Sequence, residues 1–142
     1  MLVAGLLCWL AVAPASAQPA PVVTTCSGQH VLSSGFELGA LGQTQTVFLP
    51  TVSVPSGCHG TLSFGLHIET QETTTTTAYD TLTLKANSVV LARWSNLNHN
   101  AGYSQKTFTM SGGQTLTFSF TATEDWTLLT SFFVSQVTFT VS

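Results

Sequence analysis

The sequence predicts an all-β domain, an antiparallel β-sandwich, and three observations carry that prediction. Apolar residues recur at every second position in several runs between Phe48 and Val141, as in strands with one buried and one solvated face. Turn-forming groups punctuate these runs at "PSG" (55–57), "AN" (86–87), "NHNAG" (98–102) and "SGG" (111–113). Charged residues are only 6% and hydrophobic residues 44%, which excludes intrinsic disorder. The polarity comes from Thr, Ser, Gln and Asn, and threonine suits a half-buried pleated strand. Alternation does not separate a sandwich from a barrel. The irregular loop lengths favour the sandwich.

The chain opens on "MLVAGLLCWLAVAPASA". Its apolar run, Leu2 to Ala13, is too short to span a bilayer. The "ASA" that follows has the A-x-A form of a signal-peptidase site, so a signal peptide over 1–17 and a secreted protein are expected. A Pro- and Ala-rich linker is expected over 18–33 and the sandwich over 34–142. Removing the signal leaves Cys26 and Cys58, and an oxidising compartment favours a disulfide between them.

The strands follow in order. In "FLPTVSV", Phe48, Pro50, Val52 and Val54 share a face, but proline cannot donate to a ladder, so this strand is an edge or is bulged at Pro50. In "TLSFGLHIE", Leu62, Phe64, Leu66 and Ile68 point inward and His67 outward. "DTLTLKA" turns Leu82 and Leu84 inward. "QTLTFSFTA" does the same with Leu116, Phe118, Phe120 and Ala122. In "FFVSQVTFTV", Phe132 and Val134 have even parity, whereas Val137, Phe139 and Val141 have odd parity. That slip at Ser135–Gln136 predicts a β-bulge. The run Thr73–Thr77 lies between two strands, and its β-branched residues favour extended backbone. It is read as a long hairpin loop or as the twisted ends of two strands.

Several functions are excluded at this level. Lys85, Arg93 and Lys106 are the only basic residues and the net charge is −3, so no basic patch exists for nucleic acid. No cationic amphipathic helix or stable membrane insertion is expected.

The segments "PSGCHGTLSFGLHIETQETTTTTAYDTLTLKA", "SNLNHNAGYSQKTFTMSGGQTLTFSFTATED" and "TSFFV" resemble an accessory domain found at the C-terminus of secreted bacterial sedolisin-like and subtilisin-like peptidases. The likeness covers 34–142. It implies a MAM-like, carbohydrate-binding-module-like jelly roll without catalytic activity. In that pattern "SGFELGALG" fits the second strand, which leaves open whether the first strand is present. A missing first strand would expose a sheet edge, from which a homodimer is expected. Modules of this type commonly hold calcium between an opening-strand carboxylate and closing-strand aspartates. Here Glu37 is the former, but the latter positions hold Ser135 and Gln136, so no metal and no cofactor is expected.

The chemistry-bearing residues support the same reading. His30, His59, His67 and His99 lie in no nucleophile elbow and show no zinc spacing. The acid pairs Glu69 with Glu72 and Glu124 with Asp125 are read as solvated or structural rather than as glycosidase pairs. Asp80, at a strand entry, is expected to staple the threonine loop to "TEDWTLLTS" through backbone amides. Sugar binding needs exposed rings with amides nearby. Tyr103 and Trp126 are the candidate rings, with Asn98 close to the first, while Trp94 is read as core. The expected function is therefore a secreted, non-enzymatic module that binds carbohydrate or an extracellular protein. The alternative is a structural appendage of a secreted peptidase.

Overall fold

The computed structural model describes residues 25–142; the expected signal peptide and the first part of the expected linker lie outside the described residues. Twelve strands follow one another: β1 (Gly28–Ser33), β2 (Phe36–Leu38), β3 (Thr44–Phe48), β4 (Val52–Val54), β5 (His59–Thr70), β6 (Thr81–Ala86), β7 (Val89–Ser95), β8 (Ser104–Ser111), β9 (Gln114–Leu116), β10 (Phe118–Thr123), β11 (Thr130–Val134) and β12 (Val137–Val141). Among the described residues, a single 3-10 turn, Asn96–Asn98, interrupts them.

All pairings are antiparallel. In the six-stranded sheet, β11 and β12 run end to end along one side of β5, and β8 lies along its other side. Beyond β12 and β11 lie β1 and β2. The second sheet has the order β3-β10-β6-β7, and the β4–β9 pair continues β3 and β10. The sheets pack face to face as a β-sandwich. Phe64, Phe118, Phe120, Phe132 and Phe139 fill the space between them with Leu62, Leu66, Ile68, Leu82 and Leu84. Phe64 of one sheet meets Phe120 of the other edge to face, ring centroids 5.1 Å apart. Burying each such side chain stabilises the fold by roughly 1.5–3 kcal/mol.

Both irregular strands slip by one residue. Leu66 pairs with Val134 and Ser63 with Thr138, so residues 135–137 face only 64–65 of β5. This is the bulge that the parity of Phe132 and Phe139 predicts. Phe48 pairs with Ser119 and Val52 with Leu116, so residues 49–51 face only 117–118. Pro50 therefore sits both at a sheet edge and in a bulge. One consequence differs from the sequence reading: Phe48 does not share the inward face of Val52 and Val54. The slip reverses the phase, so Leu49 is buried and Phe48 is 72% exposed.

The first strand and the threonine run depart from expectation, whereas the disulfide forms as expected. The first strand is present: β1 pairs with β12 along Gly28–Ser33. The linker therefore ends before Gly28, and the edge of β12, on which the expected homodimer rested, is covered. Only Leu32 of β1 is buried, so the segment carries no visible alternation. The threonine run is not a hairpin loop. It crosses from β5 in one sheet to β6 in the other, and residues 71–80 form no strand. Cys26 and Cys58 are disulfide-bonded, Cα atoms 5.4 Å apart across a separation of 32 residues. Closing such a loop contributes roughly 3–4 kcal/mol on a chain-entropy basis.

Candidate functional site

The outer face of the six-stranded sheet is built by the residues that alternate away from the core. On β5 these include Gly65, His67 and Glu69; on β11 they are Ser131 and Phe133, which pair with Glu69 and His67. Tyr103 enters just before β8 and lies across Gly65. A Cβ at Gly65 would stand 3.2 Å from its ring atom Cδ1 and 2.9 Å from Ser135 Oγ. Glycine thus lets the ring settle close to the sheet. Tyr103 is 60% exposed. Its ring centroid is 5.7 Å from that of His67, and the His67 and Phe133 rings stack at 5.6 Å.

His67 fixes the centre of this cluster. Asn100 accepts the Ile68 N–H at Oδ1 (2.9 Å) and donates from Nδ2 to the Leu66 carbonyl (3.1 Å). The backbone therefore dictates which end of the amide is oxygen. That same Oδ1 faces His67 Nδ1 at 2.9 Å, and Glu69 Oε1 faces Nε2 at 2.9 Å. Both ring nitrogens point at acceptors, an arrangement that favours the protonated ring, which can donate from both. The Glu69 carboxylate first, and Asn100 second, raise its pKa above the ordinary value. The ring lies against both Tyr103 and Phe133, and aromatic faces attract a cation when the ring is protonated. Next to this cluster lies an open recess of ≈180 Å³ lined by Glu69, Thr70, Gln71, Leu129 and Ser131.

Trp126 stands elsewhere, on the loop between β10 and β11. It is 82% exposed. Its ring covers Gly42, whose φ of 66° and lack of a side chain are both required, because a Cβ there would collide with the ring. The Gly42 N–H donates to the Asp125 carbonyl. Asp125 Oδ1 accepts the Thr127 N–H at 2.9 Å, closing a turn around Trp126.

Beneath this loop lies Asp80, fully buried. Its Oδ1 accepts the Asp125 N–H (2.9 Å) and its Oδ2 the Thr130 hydroxyl (2.6 Å). Glu124 is buried beside it and accepts the Thr130 N–H at Oε2 (3.0 Å). Gln71 adds a second tie, its N–H donating to the Leu129 carbonyl at 2.9 Å. The threonine segment is thus fastened to "TEDWTLLTS" at both ends.

The asparagines divide differently from the expectation. Asn98 is occupied as a cap: its Oδ1 accepts the Ser95 N–H at 2.9 Å. It does not sit beside Tyr103 as a free amide. Asn96 is buried and holds the threonine segment, accepting from Tyr79 N–H and Asp80 N–H and donating to the Thr77 carbonyl. Trp94 packs against the core, its ring 6.2 Å from Phe64. Sequence reasoning missed His67, Phe133 and Asn100 as a group. The outward parity of His67 and Phe133 is readable, but their meeting with Tyr103 depends on which strands flank β5.

In the bulge, Ser135 Oγ accepts the Gly65 N–H at 2.7 Å. Among the described residues, no three His, Cys, Asp or Glu side chains converge to hold a metal ion, and no helix is long and apolar enough to cross a membrane. No family model matches the chain, and no curated protein matches it.

Proposed function

We propose that the protein is a secreted, non-catalytic module of the jelly-roll kind that binds carbohydrate on the outer face of its six-stranded sheet. The observation that carries this reading is the Tyr103 ring, exposed yet held against Gly65 beside the stacked His67 and Phe133. A flat ring with one open face stacks on the C–H face of a pyranose, and the polar groups of the neighbouring recess accept and donate to its hydroxyls. His67 positions the platform, since both of its nitrogens are already engaged. The "ASA" site and the Cys26–Cys58 bridge support export. The likeness to peptidase accessory domains supports a non-catalytic module.

The test is depletion of the mature chain by insoluble cellulose, chitin, xylan and β-glucan, followed by affinity measurement on the best binder. Tyr103→Ala should weaken binding by about tenfold, near the 1.4 kcal/mol of one stacking contact. Equal binding by Tyr103→Ala and wild type would remove the sheet face as the site. No binding to any glycan would leave the appendage of a secreted peptidase as the better reading.

A further inference from the structure

We propose that Asp80 and Glu124 share one proton, which latches the Trp126 loop onto the threonine segment, and that loss of this proton releases the loop. Glu124 is only 5% exposed, and its Oε1 is buried with no hydrogen-bond donor facing it. An ionised carboxylate in that position leaves a charged oxygen unpaired, which is among the costliest arrangements in a protein interior. Thr130 joins the two carboxyls, its N–H donating to Glu124 and its hydroxyl to Asp80. A proton on Oε1 turns this atom from an orphaned acceptor into a donor, and Asp80 is the acceptor at hand. Asp80 accepts the Asp125 N–H and the Thr130 hydroxyl, and the proposed proton adds the Glu124 carboxyl as a third donor.

Every charged group that acts on Glu124 pushes the same way. Asp80 and Asp125 are the charges acting on Glu124, and no cation is among them. Glu72, from the threonine segment, has its own buried Oε1 without a partner and faces Asp125 and Asp80. Thr130, at the start of β11, brings only neutral donors. Burial first, then these neighbouring acids, push the Glu124 carboxyl up from 4.5 to about 7. The Glu72 carboxyl is also raised, by burial first and then by Asp125 and Asp80.

The sign follows directly. Unfolded Glu124 loses its proton near 4.5 and folded Glu124 near 7, so between those values the folded chain holds more protons. Stability is fullest below about 4.5, falls as pH rises toward 7, and is level above it. Above that range the proton has gone to solvent, and two neighbouring carboxylates face each other. The first bond expected to yield is the one from Asp125 N–H to Asp80, which fastens the turn carrying Trp126.

The experiment is an NMR pH titration of the mature chain from pH 4 to 9. It follows the Glu124 side-chain carbon and the Asp125 and Thr130 amides. The latch predicts one shared midpoint near 7 for all three. Glu124→Gln keeps an acceptor for Thr130 N–H and a donor for Asp80, so its Asp125 amide should lose the step. Asp80→Asn should lower the Glu124 midpoint. It gives a second reading if the glutamine variant folds poorly. A Glu124 midpoint near its ordinary value would overturn the proposal, as would an Asp125 amide that ignores Glu124. Erasure of the step by about 1 mM calcium, a concentration that fills weak extracellular sites, would also overturn it, since the pair would then hold a cation rather than a proton. None of these outcomes depends on glycan binding.

Discussion

Pro50 and Ser135 mark two places where the chain carries an extra residue against its partner strand, and the two are healed differently. Pro50 lies in the edge strand, where one side of the backbone faces solvent and a missing N–H costs little. The ladder resumes on either side, with Leu49 N–H donating to the Phe118 carbonyl at 2.9 Å. Ser135 lies in an inner strand with neighbours on both sides. There Ser135 N–H donates to the Gly65 carbonyl, and its own Oγ accepts the Gly65 N–H. A slip at an edge needs only a residue that does without a donor. A slip inside a sheet needs a side chain that replaces a backbone acceptor.

The largest test of this contrast is the facing that each slip sets. Phe139 is buried only because the phase reverses at Ser135, so Phe139→Ala should cost about 3–5 kcal/mol in urea unfolding. Phe48 is exposed only because the phase reverses at Pro50. Phe48→Ala should stay within about 0.5 kcal/mol. A large loss from Phe48→Ala would move the outer slip to another residue.

Reduction of the Cys26–Cys58 bridge comes next, at roughly 3–4 kcal/mol. It should leave the difference between the two phenylalanine variants unchanged, because neither slip touches the bridge. Smaller again is the acceptor itself. Ser135→Ala strips the partly buried Gly65 N–H of its partner and should cost about 1–3 kcal/mol. Pro50→Ala removes no hydrogen bond and should cost well under half as much. If the two proved equal, replacement of the acceptor would not be what closes the inner slip.

The smallest effect is a pH slope. His67 gains its proton-holding partners only on folding, so its contribution is complete below 6.5 and fades as pH rises through its higher folded value. Thermal melts of His67→Gln should therefore be flatter than wild type above pH 6.5. A slope matching wild type would mean that Glu69 and Asn100 do not hold the ring in solution.

The facing of the core strands was legible because alternation reports it directly, as Phe64 and Phe120 illustrate. Sheet membership was not. Thr73–Thr77 joins two strands that look like hairpin partners, yet the chain crosses between sheets there, since parity says which way a residue points and nothing about which strand lies beside it. β1 escaped notice because Leu32 alone turns inward. The same limit governed the site. Tyr103 stood out as a ring near asparagines, but Asn98 caps a 3-10 turn, and Asn100, two residues on, does the positioning. Asp80 drew attention as an aspartate at a strand entry. The inward turn of Glu124 beside it has no sequence signal, since adjacent acids in a loop are ordinarily solvated.

The position of β12 also dictates an order of assembly. It is the lane between β1 and β5, and Gly28 pairs with Val141, 113 residues later. Until Val137–Val141 has emerged, β1 has no neighbour and β5 lacks half of one side. Pairings this distant in the chain form slowly. The bridge from Cys26 to Cys58 asks for much less of the chain. Formed early, it brings the segment leading into β1 beside the start of β5, so the two walls of a slot are held in place before the strand that fills it arrives.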